Sequence, residues 1–132
     1  MNKEDKHKKM AVSPFLELLG IKVERASYPF ARLNLPWDKR LVNPSGTLHG
    51  GVISSLVDGA LGCALLSKDD EIKGIATMEL KVNFFSSIRG GTIIAEGEII
   101  FRRGAIAFGE ARIYSENNLA ALGSATYKLF TV

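Results

Sequence analysis

Cysteine is nearly absent from this chain, and its absence limits what can hold the fold together. Cys63 is the one cysteine among 132 residues, so no internal disulfide can form. A reducing compartment fits that usage. Long apolar runs are also missing. The most apolar stretch, Val52 to Leu66, contains Asp58 and several small polar residues. It is also shorter than the roughly 20 residues that a bilayer span needs. The start, MNKEDKHKKM, is charged, and no apolar segment follows it as a secretory signal would require. A cytoplasmic protein with no membrane partner is expected. Charge of one sign is scarce: 17 basic residues stand against 14 acidic ones, a net charge of +3. Lys3, Lys6, Lys8 and Lys9 lie in the first ten positions, so the excess reads as a solvated tail or as attraction for an anionic ligand. No basic helix, aromatic-basic strand or zinc pattern appears, so nucleic acid is not an expected partner. Two histidines, one of them in the tail, do not make a metal site.

What is present suffices for one packed domain. Hydrophobic residues are 46% of the chain and charged residues 23%, close to ordinary globular usage. Residues 1–12 are expected to be a flexible tail and 13–132 a single domain. Ser13-Pro14 starts a short helix as N-cap and first helical residue, and Gly20 ends it. Residues 21–27 and 30–35 predict a hairpin, with Ala31, Leu33 and Leu35 alternating with Arg32 and Asn34. Residues 38–48 read as a loop with turn chemistry in Asn43-Pro44-Ser45-Gly46. A long helix is expected from about Gly50 to Ser67. Four strands follow near 74–86, 91–102, 105–115 and 119–131, parted by Arg89-Gly90-Gly91, Arg103-Gly104 and Glu116-Asn117-Asn118. This is an α+β plan with one antiparallel sheet and one principal helix.

The long helix is unusual. Val52, Ile53, Leu56, Val57, Ala60, Leu61, Ala64 and Leu65 form a wide apolar stripe at helical spacing. The opposite side is small rather than charged: Gly51, Ser54, Ser55, Asp58, Gly59 and Gly62. Such a helix is expected to be buried nearly all round. Asp58 is its only charge. A buried carboxylate is costly unless it is paired, hydrogen-bonded or functional. At the other end, His49-Gly50-Gly51 stands where the helix begins. Free N–H groups and partial positive charge gather there, glycine lets a ligand approach the backbone, and together they form an oxyanion site for a polarised carbonyl. A glycine-rich loop that merely enters a helix is the plainer reading. Asp58 lies nine residues beyond His49, roughly 13.5 Å along the axis and about 180° round it. One chain does not comfortably bring both to one reacting centre. Two helices packed antiparallel about a two-fold axis would.

Asn43-Pro44-x-Gly46-x-x-His49-Gly50-Gly51, followed by Asp58, resembles the pattern of hotdog-fold acyl-CoA thioesterases of the phenylacetic-acid-degradation type. The likeness runs from Pro14-Phe15 to the last strand. It implies a curved antiparallel sheet around one long helix, continued across a dimer, with dimers often paired into tetramers. It implies that the Gly50 N–H polarises a thioester carbonyl, that Asn43 and His49 shape that end, and that Asp58 of the partner subunit acts as nucleophile or general base. Thr77 falls near the place where the family often has a hydroxyl that orients the water or the carboxylate. Gly51, Arg89, Arg102, Arg103 and Gly104 are candidates for holding the substrate and the CoA phosphates. No cofactor is implied beyond the CoA of the substrate. The competing readings are a hotdog hydratase or dehydratase, a non-catalytic acyl-CoA sensor, and glycines and Asp58 that serve packing alone. Phe84, Phe85, Leu56 and Leu61 are candidates for an acyl pocket or for the core.

Overall fold

The computed structural model describes residues 13–68 and 70–131. The expected tail, residues 1–12, lies outside them. Helix α1 (Pro14–Leu19) has Ser13 as N-cap, its side chain accepting from the Leu16 N–H, and Gly20 closes it in the left-handed conformation. Strands β1 (Lys22–Ser27) and β2 (Phe30–Leu35) form the hairpin. Helix α2 runs Gly50–Leu66, followed by β3 (Ile72–Phe84), β4 (Ile93–Arg103), β5 (Ile106–Ser115) and β6 (Asn118–Thr131). The sheet has six strands in the order β1-β2-β4-β5-β6-β3, every pair antiparallel. One sheet wrapped on one long helix is the hotdog architecture, as the sequence implied.

Alternation builds the core. Along β4, Ile93, Ala95, Gly97 and Ile99 face inward and Glu96 and Glu98 outward. The inner row meets Leu56, Val57, Ala60, Leu61, Ala64 and Leu65 of α2, all fully buried. Each large aliphatic side chain so placed contributes about 1.5–3 kcal/mol. Two glycines set how closely the helix sits. A Cβ on Gly123 would come within 2.6 Å of Val57, and one on Gly109 within 2.7 Å of the Glu98 carbonyl oxygen. Only a bare backbone fits at either place.

Three features differ from expectation. The loop at 38–48 contains a 3-10 turn, Lys39–Leu41, capped by Asp38, and a bridge between Val42 and Leu48. Strand β3 begins and ends two residues early, because Phe85 and Ser86 turn off to bond the Ala120 carbonyl. Helix α2 is not buried all round: Gly51 is exposed, and Ser54, Ser55, Asp58 and Gly59 are half-buried. The sheet covers the apolar stripe, and α1 covers only part of the small-residue side.

The two edges of the sheet are unlike. Strand β1 has 6 residues and presents Lys22, Glu24 and Arg25 to solvent. Strand β3 has 13 residues, pairs only with β6 among the described strands, and is exposed from Ala76 to Lys81. Met78 there is 60% exposed and Phe84 53%.

Candidate active site

The tip of α2 is shaped by the loop before it. The Asn43 amide nitrogen donates to Thr47 Oγ1 at 2.7 Å, and its Oδ1 accepts from the N–H groups of Ser45 (3.0 Å) and Thr47 (3.1 Å). These three bonds tie the Asn43 side chain into the loop and fix the loop's path into α2. The chain then passes through Leu48, whose N–H bonds the Ile88 carbonyl, and His49, whose N–H bonds that of Leu41. His49 is the N-cap: Nδ1 accepts the Gly51 N–H at 2.8 Å. The Gly51 amide, expected among the groups that hold the substrate, is donated to His49. The Gly50 N–H has no acceptor among the described residues. It opens on a cavity of about 310 Å³ bounded by Asn43, Ile53, Phe84, Phe85 and Ser87. The Phe84 ring lies 3.5 Å from where a Gly50 Cβ would stand.

Asp58 sits about two turns further along α2. Thr77 Oγ1 donates to Asp58 Oδ1 at 2.9 Å, and the Tyr127 hydroxyl donates to the same oxygen at 2.8 Å. Thr77, on β3, is thus in hydrogen-bond contact with the helix acid. Tyr127 was missed. It lies on the inward row of β6, where a phenol needs a partner. Burial first, and the Asp58 carboxylate second, push the Tyr127 hydroxyl well above its ordinary value, so it stays protonated. Asp58 opens on a second cavity of about 310 Å³, walled by Phe15, Leu16, Leu66 and Ile75. The two cavities share no residue. One chain thus holds Gly50 with Asn43 and His49 in one place, and Asp58 with Thr77 in another.

The basic candidates are likewise separated. Arg89 lies in the loop after β3, exposed, beside a third cavity with Ser87 and Glu116. Arg102 lies in the cross-strand row Arg102, Ala107, Tyr127, Thr77, at the Asp58 end of the sheet. Its Nη1 is buried with no hydrogen-bond partner among the described residues. Arg103 ends β4, and Gly104 opens the β4–β5 turn with φ +59°. Arg89 and the Arg102–Gly104 segment therefore do not form one anion site within a chain. Of the apolar candidates, Leu56 and Leu61 are core, fully buried, whereas Phe84 and Phe85 are exposed at the Gly50 cavity. Cys63 is buried, and burial pushes its thiol up to about 12. No helix among the described residues is long and apolar enough to cross a membrane.

Known proteins share both sequence and shape with this chain. A protein of Saccharolobus solfataricus described as a candidate esterase is 30% identical over 113 residues, covering 85% of this chain and 75% of that one. The medium/long-chain acyl-CoA thioesterase YigI of Escherichia coli is 27% identical over 130 residues, covering 86% and 84%. A solved thioesterase-family protein from Silicibacter pomeroyi superposes with a TM-score of 0.86 at 25% identity, covering 94% of each chain. The Escherichia coli PaaI protein of the phenylacetic acid degradation operon shares the fold, with a TM-score of 0.85 at 18% identity over 95% of this chain and 90% of that one. The thioesterase-superfamily sequence profile matches residues 45–121, which span the Asn43-side loop, α2 and the strands up to β6. The chain belongs to the thioesterase superfamily and is a thioester hydrolase.

Proposed function

We propose that this protein hydrolyses acyl-CoA thioesters to the free acid and CoA, at a site assembled from two copies of the chain. The observation that carries the proposal is the separation of Gly50 from Asp58 on one chain while both adjoin the same open strand. Phe84 of β3 packs at Gly50, and Thr77 of β3 bonds Asp58. Antiparallel pairing of β3 with a second β3, centred between Leu80 and Lys81, puts Thr77 of one strand opposite Phe84 of the other. The oxyanion donor of one subunit then faces the carboxylate of its partner. A long, exposed, partly apolar edge is what such a pairing needs. The short charged edge at β1 lacks that character.

The chemistry asks for few parts. The Gly50 N–H, reinforced by the positive end of α2, stabilises negative charge growing on the carbonyl oxygen. Asp58 of the partner subunit either attacks the carbonyl carbon or takes a proton from a water that attacks it. The C–S bond breaks, CoA leaves as the thiol, and water supplies the new acid oxygen. The apolar walls beside Asp58 suit an acyl or aryl group. The activity named for the Escherichia coli relative, on medium- and long-chain acyl-CoA, supports that choice of substrate. Arg89 lines a cavity that shares Ser86 and Ser87 with the Gly50 cavity, and it suits the CoA phosphates.

The experiment is thiol release over a panel of aliphatic and aryl acyl-CoA thioesters, with Asp58→Asn beside the wild type. Turnover by the wild type and a loss of at least about 10³-fold in the variant are expected. Equal turnover by both would remove Asp58 from the chemistry.

A further inference from the structure

The inward row of β6 carries one polar tip. Ala125, Tyr127 and Leu129 face α2, and all three are buried, Tyr127 with 0% exposure. A phenol hydroxyl in that setting must find a partner. It finds the one acid of the helix. The hydroxyl donates to Asp58 Oδ1 at 2.8 Å and lies 3.2 Å from the Asp58 carbonyl oxygen. Thr77 Oγ1 donates to the same Oδ1 at 2.9 Å. No described residue donates to Oδ2. Among the described residues, one oxygen of the carboxylate therefore holds two donors and the other holds none.

We infer that Tyr127 is a positioning residue: with Thr77 it pins Oδ1 and reserves Oδ2 as the oxygen that attacks or takes the proton. This rests on the role of Asp58 proposed above. The terminal torsion of an aspartate is broad and roughly two-fold, so an untethered carboxylate exchanges its oxygens freely. Two donors arriving from different strands stop that exchange. Oδ1 then has little lone-pair capacity left for a substrate, whereas Oδ2 keeps its own. In the nucleophilic route the Oδ2–carbon bond forms as the C–S bond breaks; water then cleaves the anhydride, giving the acid, freeing Asp58 and supplying the proton of the CoA thiol. In the general-base route the water proton passes to Oδ2 and its oxygen to carbon; the C–S bond breaks, and that proton goes on to the CoA sulfur. The phenol donates throughout the working range, because burial and then the Asp58 carboxylate keep it protonated. Cys63, the other ionisable group bearing on the phenol, stays neutral: burial pushes its thiol up to about 12.

The plainer role for the hydroxyl is a tie to the helix carbonyl with no effect on the acid. Steady-state hydrolysis of octanoyl-CoA and phenylacetyl-CoA from pH 4 to 9 separates the two, using wild type, Tyr127→Phe, Asp58→Asn and a chain with 3-fluorotyrosine at position 127. Tyr127→Phe is expected to lower kcat about tenfold to a hundredfold, since a hydrogen bond to a charged group is lost. KM should stay within about twofold. The acid limb of the kcat/KM profile should move to higher pH, because the carboxylate loses a donor. The fluorinated phenol is the stronger donor, and it should move that limb to lower pH while keeping kcat. Should Tyr127→Phe fail to fold, the fluorinated chain decides alone: a displaced limb supports the inference and an unmoved one overturns it. Wild-type kcat and profile in Tyr127→Phe, with Asp58→Asn inactive, overturns the role of Tyr127 only. Wild-type turnover in Asp58→Asn overturns the role of Asp58 itself.

Discussion

At the tip of α2 the proposed reactive group is main chain, the Gly50 amide, and the loop before it presents that amide. About two turns further along, the reactive group is a side chain, and its supports come from elsewhere in the chain. The supports of Gly50 are local: the Asn43 turn spans four residues and the His49 cap two. The supports of Asp58 lie 19 and 69 residues away. A main-chain donor depends on the path of the loop and tolerates changes of side chain that keep that path. A side-chain carboxylate depends on strand register, since a slip of one residue in β3 or β6 would turn Thr77 or Tyr127 outward.

That contrast can be broken at its sharpest point by Gly50→Pro. Gly50 is the first helical residue, where proline fits the backbone and removes the N–H. Turnover is expected to fall about 10²- to 10³-fold with little change in melting temperature. Unchanged turnover would show that the amide is not the oxyanion donor. A smaller effect is expected of Asn43→Ala, which deletes three hydrogen bonds within the loop. Stability should drop by about 1–3 kcal/mol, with a partial loss of kcat, both read from a thermal melt and an acyl-CoA assay. Full activity in a destabilised variant would mean that the loop tolerates a change of path.

The smallest effect belongs to the 3-10 turn that leads into the same loop. There the Arg40 guanidinium, bonding the Asp38 carboxylate, holds it at about 2, below its ordinary 3.8. A lowered value favours folding while the group is charged. The stabilisation is therefore present above about pH 4 and disappears as the pH falls through about 2. Asp38 and Arg40 are at the surface, so the effect is slight. Melting curves of Asp38→Asn should lose a small part of the acid-side decline seen in the wild type between those limits. Identical declines would show that the pair contributes nothing.

The same contrast explains what the sequence made legible. His49-Gly50-Gly51 and the Asn43-Pro44-Ser45-Gly46 turn are contiguous, and their chemistry is written in residue types with known backbone preferences. The α2 stripe and the lone acid within it are equally local. Tyr127 was readable only in outline: an inward tyrosine and an unpaired buried aspartate each call for a partner, yet nothing in the pattern joins positions 58 and 127. The bulge between Thr77 and Glu79 shifts the β3–β6 register and is invisible in alternation alone. Register also decided the basic residues. Arg89 and Arg102 look alike as turn-flanking arginines, but the hairpins carry them to opposite ends of the sheet.

A site shared between subunits makes a demand that no single-chain site meets. Gly50→Pro and Asp58→Asn chains, each inactive as a pure protein, can be co-expressed and the mixed oligomers assayed for thiol release. Random pairing into dimers gives hybrids in half of the cases, each with one of two sites intact, so about a quarter of wild-type activity should return. Activity no greater than that of the two inactive proteins, with mixed oligomers demonstrably formed, would place both groups in the same subunit and contradict the account.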